Sequence, residues 1–279
     1  MDDLMKSHNE LQKSIEKFIE EQFGLKCLNP YSDKQDTPKG FEKEFAMMSR
    51  IIDNMKLYRK IPETYPCIVN TPPHLLDVHT IVYELRDRFI EAGSYSLVSY
   101  DWVRKLKETI IKDSKCLEIM AGSGLLSKAL KDVGCNIIAT DNKSWADFNR
   151  IMFSPWFREP FTDVEEIDCI DAIEKYGKDV DFVIVSWPYM DDTCYRALLK
   201  MREVNPDCLM IYIGEYGDCC ADDNFTEAAE SFDLCWFEYK TEGREPIVEN
   251  LEEIYDNLVE VRKLYKQWYG IHDDIYIVK

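Results

Sequence analysis

The stretch "CLEIMAGSGLLSKALKDVGCNIIATDN" constrains this chain more than any other. An apolar run ends at Met120, a turn follows with Gly122 and Gly124, and a stretch of helical period leads to a second apolar run closed by Asp141. A buried strand, a tight turn, a helix and a second buried strand make one unit of a parallel sheet covered by helices. In such sheets ligands bind beyond the carboxyl ends of the strands, and the first strand-to-helix turn is the nucleotide position. Glycines there let backbone pass close to the ligand, and an acid at the end of the second strand can accept hydrogen bonds from both ribose hydroxyls. The expected ligand contains adenosine.

The same alternation runs to the C-terminus. Strands are expected at 116–120, 136–140, 166–169, 181–185, 208–213 and 234–239, with a last one in "DIYIVK", and helices at 124–133, to 176, 193–204 and 224–231. A helical insertion at 248–268 precedes the last strand, and an irregular aromatic stretch, "SWADFNRIMFSPWFREPF", follows the second. Before Lys115 the apolar spacing is helical, at 1–24, 41–58, 75–91 and 100–112, with a loop in "NPYSDKQDTPKG" and a proline break in "IPETYPCIVNTPPH". The expected division is a helical N-terminal region, 1–112, serving as a lid or acceptor platform, and an α/β domain, 113–279, in which a mainly parallel sheet of seven strands is covered on both faces.

Composition removes several classes of function. The 279 residues carry 34 basic and 53 acidic side chains, a net charge of -19. From 214 to 260 the acids dominate, a surface that repels phosphate backbones and makes nucleic acid a poor partner. The N-terminal "MDDLMKSHNELQKSIEKF" is polar where a secretory signal is apolar, and no run reaches a membrane span, so a soluble cytoplasmic chain is expected. Ten cysteines without a CxxC pair, and only four histidines, His8, His74, His79 and His272, assemble no zinc site, and no metal is expected.

The first strand carries Glu118 ahead of the turn, and Ser127 stands where a dinucleotide fingerprint would have its third glycine. An acid followed by Gly-x-Gly resembles motif I of the class I methyltransferases that use S-adenosylmethionine, and the resemblance extends from Lys115 to the C-terminus. It implies a Rossmann-like sheet ending in an antiparallel hairpin, with S-adenosylmethionine as cofactor. Glu118 would receive the ammonium group, directly or through water, beside a turn of Ala121, Gly122 and Gly124. Asp141 would hold the ribose and Asn142 lie beside the adenine, with Asp168 on the adenine amino group and Cys169 next to it. Tyr95 and Ser99, before the first strand, would face the methionine end.

After the fourth strand stands "SWPY", Ser186, Trp187, Pro188 and Tyr189. It is similar to the turn that members of this family use to methylate planar nitrogens, an Asp, Asn or Ser followed by Pro-Pro and an aromatic residue, with Trp187 replacing the first proline. A conjugated nitrogen has a delocalised lone pair and must be oriented before it attacks. The Ser186 hydroxyl and the Trp187 carbonyl would accept its protons while Tyr189 stacks on its ring. Asp191 is a base candidate, or with Asp192 the acidic start of the next helix. "GEYGD" after the fifth strand places Glu215, Tyr216 and Asp218 over the acceptor side, suited to a cationic or amine-bearing group.

Three functions fit these residues: a methyltransferase acting on nitrogen of a small-molecule or peptide acceptor, an NAD-dependent oxidoreductase on a related sheet, and a non-catalytic protein-binding module with an acidic surface. The missing third glycine and the lack of a Tyr-x-x-x-Lys or His acid pair weigh against the second.

Overall fold

The computed structural model describes residues 42–70, 81–144, 160–216, 219–229 and 251–279. The helices at 1–24 and 75–80, most of the aromatic stretch after Asn142, the strand at 234–239, Asp218, and three of the four histidines lie outside the described residues.

N-terminal to the sheet come α1 (Glu42–Tyr58), a 3-10 turn (Cys67–Asn70), α2 (Ile81–Ile90), and α3 (Tyr100–Leu106), which runs on into a π-helical turn (Lys107–Ile111). The sheet region then runs β1 (Lys115–Glu118), α4 (Leu125–Asp132), β2 (Asn136–Asp141), β3 (Glu165–Glu166), α5 (Cys169–Tyr176), β4 (Phe182–Ser186), α6 (Thr193–Val204), β5 (Leu209–Gly214), α7 (Asp223–Ala228), α8 (Leu251–Arg262) and β6 (Asp274–Val278). The strands lie in the order β3-β2-β1-β4-β5-β6. All neighbours are parallel except β5 and β6, which are antiparallel with Gly214 opposite Asp274.

This is a Rossmann-like α/β sheet. It corrects the expected strand count: the described residues form six strands, the seventh having been placed at 234–239. β3 is also shorter than expected, with two residues, because Asp168 leaves the strand to cap α5, its Oδ1 accepting from the Ile170 amide at 2.9 Å. A side chain that bonds the backbone two residues on favours the cap over continued pairing.

Alternate strand residues feed two cores. Ile184, Ile211, Ile213, Ile275 and Ile277 face one cluster with Met48, Ile52, Phe89, Trp102, Leu130 and Trp268. Leu117, Val183, Val185, Met210 and Tyr212 face the other with Ile173, Leu198 and Phe225. The first cluster joins α1, α2 and α3 to the sheet, so the helical N-terminal residues share the core of the domain they precede. Among the described residues no helix is long and apolar enough to cross a membrane.

Candidate active site

The strand order reverses at β1: β2 lies on one side and β4 on the other, which makes their carboxyl ends the topological switch point where open α/β sheets bind ligands. Just beyond these ends the backbone is forced. Met120 (φ 53), Lys143 (φ 54) and Trp187 (φ 53) are left-handed although none is glycine, a conformation that costs about 1–3 kcal/mol per residue and gathers at functional sites.

The turn after β1 is fastened to β2. The Ala121 amide donates to the Thr140 carbonyl at 3.0 Å, and the Gly122 amide to Asp141 Oδ2 at 2.8 Å. Asp141 Oδ1 accepts the Lys143 amide at 2.6 Å. Gly122 (φ 53) and Gly124 (φ 71) both need the left-handed region. At Gly124 a Cβ would also lie 2.8 Å from Val164 Cγ2 and 3.1 Å from Thr162 Cγ2. The second glycine is therefore required by packing inside the protein, whereas the sequence pattern assigns it to ligand approach.

Glu118 is 2% exposed and accepts a hydrogen bond from the Ser127 hydroxyl. Burial pushes its carboxyl up to about 7, Ser127 partly opposes this, and the charge of Asp141 adds to it. The residue in place of a third glycine is thus the partner of the first acid. Asn142 is exposed, its Oδ1 accepting the Ser144 amide at 3.0 Å. Cys169 is buried, and desolvation pushes its thiol up to about 12.

On the other side of the switch point, β4 ends at Ser186, whose hydroxyl is 2.6 Å from that of Ser96. Trp187 stacks on Tyr95, with centroids 5.4 Å apart and planes 20° apart, and the Arg86 guanidinium lies 5.8 Å from the Trp187 ring centre. The Trp187 indole N–H donates to Asp273 Oδ2 at 3.2 Å. Pro188 is buried and Tyr189 is exposed. Partial desolvation, then the charges of Asp141, Tyr95 and Asp191, hold the Tyr189 hydroxyl above its ordinary value.

Asp191 Oδ1 accepts the Thr193 amide at 3.0 Å at the start of α6, the helix-start reading of that acid. Glu215 is buried, with Oε1 accepting the His272 amide at 2.8 Å. Two expected contacts are not brought to this group. Ser99 is fully buried, and its hydroxyl donates to Asp101 at the head of α3. The Tyr216 hydroxyl donates to the Thr226 and Ala229 carbonyls at 3.2 and 2.9 Å, and its ring packs on Tyr212 and Tyr276. Ser96, three residues before Ser99 in the same segment, is the serine that meets Ser186.

Ser96 was not singled out in the sequence, nor were Tyr265 and Asp273. Asp273, ahead of β6, is 2% exposed and also accepts the Tyr265 hydroxyl at 2.6 Å. The acid pair in "HDDIYIVK" directly before an apolar run is the signal that could have found it. Among the described residues no group of three or more His, Cys, Asp or Glu side chains is arranged to hold a metal ion.

No family model and no curated protein matches this chain. Solved structures do. A SAM-dependent methyltransferase from Agrobacterium tumefaciens is similar at 15% identity over 42% of this chain and 44% of that one, with a TM-score of 0.28. Human N-acetylserotonin methyltransferase in complex with SAM is similar at 14% identity over 86% and 67%, with a TM-score of 0.33. The methyltransferase SibL is similar at 14% identity over 86% and 70%, with a TM-score of 0.36. The chain thus spans less than half the length of the first of these. Similarities with TM-scores this low add nothing to the fold assignment, which rests on strand order and register.

Proposed function

We propose that this chain is an S-adenosylmethionine-dependent methyltransferase that methylates a nitrogen of a small-molecule or peptide acceptor. One observation carries the choice of cofactor: the glycine turn is flanked by two buried carboxyls, Glu118 at the end of β1 and Asp141 at the end of β2, with Asp141 Oδ2 accepting the Gly122 amide at 2.8 Å. Such a pair disfavours a pyrophosphate and favours a ligand bearing positive charge beside a ribose diol. The donor set therefore fits an adenosyl sulfonium better than a dinucleotide. The cofactor supplies an activated methyl group. The chain supplies the rest: Asp141 for the ribose, Glu118 for a cationic group, and Asp168, Cys169 and Asn142 near the base.

On the acceptor side, Ser186 and the Trp187 carbonyl would accept hydrogen bonds from the nitrogen's protons, Tyr189 and Tyr95 would enclose its ring, and Glu215 would add negative charge below. Orienting the lone pair in line with the methyl group accounts for most of the acceleration in such a site. The contacts of Tyr95 and Ser96 with Trp187 and Ser186 support a role for the helical region, 1–112, as an acceptor platform.

Isothermal titration calorimetry with S-adenosylmethionine, S-adenosylhomocysteine and NAD tests the cofactor. Binding of the first two and not the third is expected, and NAD binding alone would move the assignment to an oxidoreductase. Mass spectrometry of a cell extract incubated with methyl-labelled cofactor then identifies the acceptor.

A further inference from the structure

Methylating a nitrogen that bears a proton leaves that proton to be disposed of, and the exposed carboxylate nearest the turn, Asp191, is engaged at the start of α6. Beneath the turn lies a succession of buried polar groups with no part in the reaction described so far. The Ser186 hydroxyl is 2.6 Å from the Ser96 hydroxyl, and Ser96 is 1% exposed. Tyr265 is buried and packs edge-on against Trp102 at 5.5 Å, and the Trp102 indole N–H donates to the carbonyl of Leu97, the residue after Ser96, which sets Tyr265 against the segment that carries Ser96. Tyr265 donates to Asp273 Oδ2 at 2.6 Å. Asp273 is 2% exposed, and its buried Oδ1 has no hydrogen-bond partner among the described residues. An unpaired carboxyl oxygen in the interior is costly while the group is ionised and less so once it is protonated.

We propose that Ser186, Ser96 and Tyr265 form a relay that carries the proton released by methyl transfer from the end of β4 to the buried carboxyl of Asp273. The inference rests on the methyltransferase reading. As the nitrogen–carbon bond forms and the carbon–sulfur bond breaks, the bonding pair leaves with sulfur and the nitrogen turns acidic. Its proton passes to the Ser186 oxygen while the Ser186 proton moves to Ser96, that of Ser96 to Tyr265 and that of Tyr265 to Asp273. Each hydroxyl ends neutral, and Asp273 ends as a carboxylic acid. Tyr265 and Ser96 act only through Ser186 and are positioning residues.

The surroundings of Asp273 suit the receiving end. Burial pushes its carboxyl up to about 6, Tyr265 and Trp187 oppose this by bonding to the charged form, and Glu215 and Asp274 add to it. Cys220, itself pushed up chiefly by burial, is a further titratable neighbour, and His272 directly precedes Asp273 in the chain. Near neutral pH Asp273 is then mostly ionised and able to accept, yet only weakly acidic once filled.

Two measurements on the full chain test this. The first needs neither cofactor nor acceptor: infrared titration of the carboxylic-acid C=O band in the wild type and in Asp273→Asn. A band with a midpoint near pH 6, lost in Asp273→Asn and displaced to higher pH in Tyr265→Phe, is expected. A band unchanged by Asp273→Asn overturns the proposal. The second is the single-turnover transfer rate against pH, with the extract fraction that accepts label as the probe. The wild-type rate should fall as Asp273 fills, while Asp273→Asn and Tyr265→Phe should transfer about 100-fold more slowly without that inflection and bind S-adenosylmethionine as the wild type does. Wild-type rate and inflection in Tyr265→Phe overturn the relay and leave the methyltransferase reading standing. No transfer by the wild type at any pH overturns that reading and the relay's use with it, and the infrared titration marks this case because Asp273 still titrates.

Discussion

Glu118 is a buried carboxyl held up to about 7 against an ordinary 4.5, and this has a measurable sign. Between those values the folded chain binds more protons at Glu118 than the unfolded chain does, so stability falls as pH rises through the window and levels off above it. Glu118→Gln keeps an oxygen for Ser127 and removes the titration. The wild type should therefore lose on the order of 2 kcal/mol more than Glu118→Gln between about pH 5 and pH 8, read by urea denaturation at both pH values. Equal pH dependence in the two proteins would mean that Glu118 is ionised throughout. At this scale the sequence was informative where a residue's role follows from its place on one strand: Asp141 and Ser186 end β2 and β4, and both lie at the switch point. It was silent on Ser96 and Tyr265, since nothing local distinguishes a serine before α3 and a tyrosine after α8 until the fold brings them together, and for Asp273 it offered only the acid pair ahead of β6.

Among the elements, the helices that follow β1 and β3 owe their starts to different devices. α4 begins at a left-handed Gly124 packed on Val164 and Thr162. Gly124→Ala should destabilise the protein by about 1–3 kcal/mol, combining backbone strain with the clash. Denaturation that leaves the midpoint unmoved would show that the segment at 162–164 yields freely. α5 begins instead at an aspartate side chain. Asp168→Ala should cost about 1 kcal/mol of stability and Asp168→Asn much less, because asparagine caps as well. If Asp168 also meets the cofactor's base, both variants should weaken S-adenosylmethionine binding, so calorimetry on the pair separates the cap from the contact. Long periodic elements were legible: the helix expected at 193–204 coincides with α6 (Thr193–Val204). The two-residue β3 was not, because pairing this brief leaves no alternation to read, and the capping choice at Asp168 decides where it ends.

For the whole molecule, the division at residue 112 marks a change of secondary structure, while the packing crosses it. Trp102 from α3 and Trp268 from beyond α8 are both fully buried in the cluster that also holds Ile184 and Ile211 of the sheet. Unfolding should accordingly follow one transition, with far-UV circular dichroism and tryptophan fluorescence coincident, and Trp102→Ala should cost about 3–5 kcal/mol for helices and sheet alike. Two separated transitions would restore independent domains. The shared core was hidden in the sequence, where period and composition report which face of a helix is apolar and not which neighbour covers it. The strand order carries a kinetic consequence as well. Among the described residues no two paired strands are joined by a tight hairpin: Lys115 meets Asn136, Cys116 meets Phe182, and even the antiparallel partners join Gly214 to Asp274. Each pairing must close a long loop before any contact rewards it, so the chain belongs with the slow, high-contact-order folders that reach the native state in milliseconds to seconds or longer. While it folds, the isoleucine-rich edges of β5 and β6 are open to other chains, which makes refolding yield strongly dependent on protein concentration.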